Sequence, residues 1–275
     1  MTFPILFLAP LVPGLMLGQT DSASFSFFPP HLSVLPFVAN HEEARLGLQQ
    51  QFGSSRLNIG IGVTMDAIEY ASRGDTLRWG PDLYSYALSS TIQDVQFKIA
   101  AADGFFGMHL TYTSGSAWSF RFRAMHQSAH LVDGSYDVTA GTWNDGRVPF
   151  NFTRNYGEVD VAYEARLGHF PTRIYSGLSG AVWNRPEAIR PVSAMFGIEC
   201  HSPGTPAFYF AYNLSLMGIP SYVGSNNLEA GLKLGEWSGR GVRIYLSYYC
   251  GLDTFGAYYN VRREFAGAGF TFDLW

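Results

Sequence analysis

Trp118-Ser119-Phe120-Arg121-Phe122-Arg123-Ala124-Met125-His126-Gln127-Ser128-Ala129-His130-Leu131 decides the fold. Successive side chains of a β-strand point to opposite faces. One parity of this stretch reads Trp118, Phe120, Phe122, Ala124, His126, Ser128, His130, and the other reads Ser119, Arg121, Arg123, Met125, Gln127. An apolar row and a row holding two arginines therefore share one strand. If the apolar row meets hydrocarbon, the arginines must face inward, because a charge on the lipid side near mid-bilayer costs about 2–4 kcal/mol.

The same alternation recurs outward from this stretch. Leu228, Ala230, Leu232 and Leu234 alternate with Glu229, Gly231, Lys233 and Gly235. Phe208, Phe210, Tyr212, Leu214 and Leu216 alternate with Tyr209, Ala211, Asn213 and Ser215. Val242, Ile244 and Leu246 alternate with Arg243, Tyr245 and Ser247. From Ala44 to Trp275 about 12 such segments follow one another, each near the roughly 9–11 residues that cross a bilayer at a tilt. A soluble sandwich or lipocalin-like barrel also alternates, but it hides its apolar row and has no use for so many Phe, Leu and Tyr on it. The expected fold is all-β: an antiparallel up-and-down transmembrane β-barrel of about 12 strands, closed because lipid cannot satisfy a free strand edge.

Composition agrees. The 275 residues are 47% hydrophobic and 16% aromatic but only 15% charged, against about a quarter charged in soluble domains. With a net charge of −4, nothing suggests a nucleic-acid surface, and no nucleic-acid partner is expected. Two cysteines make neither a disulfide framework nor a zinc site. Residues 1–18 read as a signal peptide, with an apolar run from Phe3 to Leu17. Residues 19–43 read as a periplasmic N-terminal segment and 44–275 as the barrel. Short turns are expected at 113–116, 168–171, 202–205 and 237–240, on the periplasmic side. Long connections are expected at 71–81, 132–155, 185–191, 218–225 and 253–263.

Chemistry concentrates at the upper end of the opening stretch. His126, Ser128 and His130 continue the lipid-facing row and end at the longest connection. A serine becomes nucleophilic when a neighbouring base takes its proton, and a third group orients that base. Asn155 shares the outward parity of Val159 and Val161, whereas Glu158 has the lumenal parity. Asn155 is the better orienter by face and Glu158 the stronger by charge. The same side chains also fit a structural trio that meets lipid headgroups.

HQSAHL, NYGEVDVAYE, RIYSGLSGAVWNRP and FGAYYNVRREFAGAGF together resemble a domain-of-unknown-function family of bacterial outer-membrane barrels, over about Phe28 to Leu274. Locally, His126 and Ser128 resemble the H-x-S motif of outer-membrane phospholipase A and the lipid A 3-O-deacylases, whose third member comes from the following strand. This chain differs from them after the serine, with Ala129-His130. The resemblance implies a serine-type lipid acyl-ester hydrolase in a Gram-negative outer membrane. Its catalytic residues would be His126, Ser128 and Asn155 or Glu158, and its partner an outer-membrane lipid, phospholipid or lipopolysaccharide. Calcium dependence and dimerisation occur in those phospholipases; no residue here establishes a cofactor or an oligomeric state. The other reading is a non-enzymatic barrel, either a small-solute pore or a structural, partner-binding protein. For that reading the inward Arg121, Arg123, Glu158, Asp160, Glu164, Glu229, Lys233, Glu236 and Arg243 either brace a filled lumen or line a narrow channel. Arg262 and Arg263 read as a solvated rim that could also meet lipopolysaccharide phosphates.

Overall fold

A computed structural model describes residues 23–92, 96–115 and 117–275. The expected signal peptide lies outside the described residues. The strands are β1 (Ser24–Phe27), β2 (Leu46–Gln51), β3 (Arg56–Thr64), β4 (Ile68–Ser72), β5 (Asp75–Ile92), β6 (Gln96–Thr113), β7 (Trp118–Leu131), β8 (Tyr136–Asp137), β9 (Thr142–Trp143), β10 (Phe152–Leu167), β11 (Phe170–Arg185), β12 (Val192–His201), β13 (Ala207–Ile219), β14 (Ser221–Gly235), β15 (Gly241–Leu252) and β16 (Arg262–Asp273). All pairings are antiparallel. The order β5-β3-β2-β16-β15-β14-β13-β12-β11-β10-β7-β6 returns to β5, so 12 strands close a ring. β4 continues the line of β3 along the lower half of β5, and β1 pairs with β4. β8 and β9 form a separate hairpin in the loop above β7.

The wall is apolar outside and polar inside. Leu83, Leu178, Phe208 and Leu246 stand more than 60% exposed on the outer surface, whereas Arg121, Arg123, Glu229 and Lys233 are 5% exposed or less. Hydrocarbon is the solvent this surface suits. Trp118 packs on Tyr163, their ring centroids 4.6 Å apart, at the lower rim.

Two connections differ from expectation. Residues 71–81 are not a loop. β4 and β5 meet through a two-residue turn, Arg73-Gly74, with φ of 54° and 83°. Positive φ at both positions is the hairpin geometry whose twist matches the strands, and glycine suits it. β5 then runs through Gly80-Pro81. A Cβ at Gly80 would fall 1.7 Å from the Met65 carbonyl oxygen, so only glycine lets residues 65–67 cross there between β3 and β4. The second is 218–225. β13 and β14 run almost into each other at Pro220, a tight turn on the upper side.

The larger departure is the segment before the barrel. Of the stretch expected as a periplasmic lead-in, β1 extends the wall beside β4 with Phe25 and Phe27 exposed, while the residues from about Val34 to Glu43 run inside the lumen. Phe37 is 1% exposed and stacks on Tyr175 of β11, centroids 3.8 Å apart. The guanidinium carbons of Arg121 and Arg173 lie 4.7 and 5.0 Å from the centre of the Phe37 ring. Buried backbone groups need partners, and the wall supplies them. Arg173 donates to the Leu35 and Pro36 carbonyls at 2.9 and 3.1 Å, and Asn227 donates to the Ala39 carbonyl at 2.6 Å. The Val38 amide donates to Glu199 at 2.9 Å. From above, Phe255, Ala257 and Tyr258 of the loop after β15 fold inward and are buried.

Candidate functional site

Strand β7 carries both the lumenal network and the outward polar patch. Inside, the Nε of Arg121 bonds Asp160 at 2.9 Å and its Nη2 bonds Glu43 at 2.5 Å. Arg123 pairs with Glu158 and, at 3.5 Å, with Glu43. Arg154 reaches Glu42 at 3.0 Å, and Arg45 reaches Glu229 at 3.1 Å. Glu42, Glu43 and Arg45 all belong to the lumenal segment, so it is held by ion pairs on several sides. Burial pushes the Glu43 carboxyl up, but Arg121 and Arg123 outweigh this and hold it below the usual carboxylate range. Ion pairs brace the lumen, as one sequence reading anticipated, but it is the segment before the barrel, and not the wall side chains alone, that fills it. Two cavities of about 60 Å³ flank the segment near His41, and a larger one of about 260 Å³ lies beside Leu32–Leu35. Each of the two smaller ones is room for a few waters, which need about 10–15 Å³ apiece.

Outside, the register sets His126 opposite Asn155 of β10 and opposite Phe106 of β6. His126 Nδ1 lies 2.5 Å from Asn155 Oδ1. An amide oxygen only accepts, so Nδ1 carries a proton, and in the neutral ring the lone pair is on Nε2. The imidazole ring packs on Phe106, centroids 4.4 Å apart. Ser128 follows two residues along the same face, opposite Thr153 and Gly104. Among the described residues its hydroxyl makes no hydrogen bond. A Cβ at Gly104 would lie 3.6 Å from the Ser128 Oγ, so the glycine leaves that side of the hydroxyl open. Glu158 is not brought to this patch. It lies in the lumen on Arg123, because its parity is opposite to that of Asn155. His130 is exposed at the rim, opposite Ala102.

The patch has a definite height. His126 is eight residues above Trp118, about 26 Å along a strand and about 20 Å vertically at a usual barrel tilt. The apolar band of such barrels is about 25 Å tall, so His126 and Ser128 sit near its upper edge. Among the described residues no group of three His, Cys, Asp or Glu could hold a metal ion. At the rim, Arg263 is taken up by Asp253 at 2.9 Å.

Sequence reasoning missed Trp183 and Arg185, which stand outward beside the patch. Two residues of β10, Asn155 and Tyr156, face Trp183 and Ala181 of β11, leaving Val182 as a bulge. Below the bulge the outward residues of β11 are even-numbered, as at Ile174 and Leu178; above it they are odd. Strict alternation carried upward from Leu178 would send Arg185 into the lumen.

The fold and this patch define the class: a closed, lumen-filled barrel with an apolar exterior and a polar cluster on its lipid-facing side. Residues 93–274 match the family described as a protein of unknown function, DUF1207, and the chain belongs to that family. No curated protein matches the sequence. Among solved structures, the chain is similar to the beta domain of the Bordetella autotransporter BrkA, at 12% identity and a TM-score of 0.44, covering 82% of this chain and 95% of that one. It is also similar to OmpT, an outer membrane protein of Vibrio cholerae, in its trimer form. There the identity is 10% and the TM-score 0.41, over 92% of this chain and 99% of that one. The barrel itself stands on the closed ring of strand pairings.

Proposed function

We propose that this chain is a serine-type acyl-ester hydrolase of the bacterial outer membrane, acting on lipid of the outer leaflet. The observation that carries this reading is the His126–Asn155 hydrogen bond of 2.5 Å on the outward side of the wall, with Ser128 two residues along the same face and its hydroxyl unengaged among the described residues.

Asn155 accepts the Nδ1 proton and so fixes the tautomer and the ring plane. His126 Nε2 then takes the Ser128 proton while Oγ attacks the ester carbonyl. Residues two apart on one strand face are separated by roughly 6.6 Å, a span that an imidazole and a hydroxyl bridge by rotamer choice. The histidine returns its proton to the leaving alcohol and an acyl-serine remains. Water, deprotonated by the same nitrogen, releases the fatty acid. The substrate comes sideways from the membrane, since the patch opens to lipid and not to the lumen. A pore is the weaker reading, because residues 32–45 and the loop holding Phe255 occupy the lumen.

Purified barrel in detergent, given phospholipid or lipid A, releases fatty acid in the wild type. Ser128→Ala lowers the rate by roughly 10³-fold or more while remaining folded. Equal release from the two proteins overturns the assignment.

A further inference from the structure

Two rows of outward side chains cross β6, β7, β10 and β11 around the serine. The lower row is Phe106, His126, Asn155 and Trp183. The upper row is Gly104, Ser128, Thr153 and Arg185. Arg185 is thus two strands from Ser128, about 10 Å away between backbones, at the same level. It reaches this face only because of the bulge at Val182. Bulges re-aim side chains and gather next to active sites.

The arginine is pre-set. Its guanidinium carbon lies 5.0 Å from the centre of the Trp183 ring, which limits its motion to one side of the patch. Its one ion-pair partner among the described residues is Glu187 at 2.9 Å, with the two side chains 42% and 82% exposed. An exposed pair of this kind is worth about 0–1 kcal/mol. A phosphate, which a guanidinium grips with two parallel hydrogen bonds, can displace it. Thr153 between them is small enough to leave the path from Ser128 to Arg185 clear.

We infer that Arg185, seated on Trp183, is the specificity-determining residue that binds the phosphate of an acylated lipid whose ester lies at Ser128. This rests on the hydrolase reading and adds a headgroup class to it. Two sources carry that chemistry, a glycerophospholipid and a phosphorylated glucosamine lipid, and the assay separates them.

Initial rates are measured in one detergent on phosphatidylglycerol, on lipid A and on neutral dioleoylglycerol. The proteins are wild type, Arg185→Gln, Arg185→Lys, Ser128→Ala and Arg190→Gln. Arg190 is a rim arginine whose Nε is engaged at 2.9 Å by the Pro220 carbonyl. We expect Arg185→Gln to lower the preference for a phosphorylated over the neutral lipid, as the ratio of kcat/KM, by tenfold or more. The loss falls mainly on KM, Arg185→Lys recovers part of it, and Arg190→Gln keeps the wild-type ratio. The phosphorylated lipid that shows the loss identifies the source. An unchanged ratio in Arg185→Gln overturns the inference while leaving Ser128-dependent hydrolysis standing. A general loss in kcat on all three lipids also overturns it, since that marks a structural role. No Ser128-dependent release from any lipid overturns the hydrolase reading and this inference with it.

Discussion

Both faces of β7 carry polar side chains, and the two sets stand in opposite surroundings. On the inner face, Arg121 and Arg123 are closed in by Glu43, Glu158 and Asp160. On the outer face, His126 has one partner, Asn155, and Ser128 has none among the described residues. Ion pairs buried on every side hold a structure; the outer hydroxyl and imidazole are the groups that the proposed hydrolysis uses. The comparison teaches that polarity alone does not mark a site in a barrel wall. What distinguishes the outer patch is polar chemistry on the face that hydrocarbon should own.

Substitutions on each side test that division, beginning with the inner face. Arg123→Met strands Glu158 and half of the Glu43 pairing without an added cavity. Leaving buried charge unpaired costs about 3–5 kcal/mol. Urea unfolding in detergent, followed by heat-modifiable gel mobility, reads this as a lowered midpoint. A change under 1 kcal/mol would mean that water reaches the lumen freely and the bracing account is wrong. Phe37→Ala comes next. It removes a ring stacked on Tyr175 and flanked by two guanidinium groups, and is expected to cost about 3 kcal/mol. The same unfolding assay measures it, and hydrogen exchange should rise across residues 32–45.

On the outer face, Asn155→Ala leaves the histidine unoriented. We expect hydrolysis to fall about 100-fold with the unfolding midpoint unchanged. A shift in midpoint with activity retained would make the outer patch structural and erase the contrast between the faces. The smallest effect comes from acid. Glu42 and Glu43 titrate below the usual 4.5 because, against burial, Arg154, Arg121 and Arg123 favour their ionised forms. Their contribution is therefore complete above about pH 4.5 and declines as pH falls through their lower folded values. Exchange of the 32–45 amides should be flat from pH 7 to 5, after correction for intrinsic rate, and rise below 4.

Most of the wall was legible because its signal is a period of two repeated over many strands. Arg121 and Arg123 alone settle which face of β7 is inside. The contact between His126 and Asn155 followed from parity plus adjacency of strands. Where the period breaks, reading stopped. Gly80-Pro81 looked like a loop, although a strand tolerates it where a neighbouring strand is interrupted. Phe37 lies in a proline-rich run with no period at all, so nothing local said that the run turns inward. Its partners, Tyr175, Arg121 and Arg173, lie far along the chain. Trp183 and Arg185 were hidden by one extra residue, Val182, which reverses the parity of everything above it on that strand.

The ring is also uneven. β5 and β6 are 18 residues long, whereas β2 has six. A bilayer around this barrel would meet a tall flank on the side of the His126 patch and a low one near β2, where the span falls short of the roughly 9–11 residues a crossing strand needs. Mismatch of this kind is relieved by local thinning of the bilayer or by a lean of the whole cylinder. Either response sets the depth at which acyl chains meet the wall on each flank, so membrane thickness becomes a variable that tunes how lipid is presented to the protein.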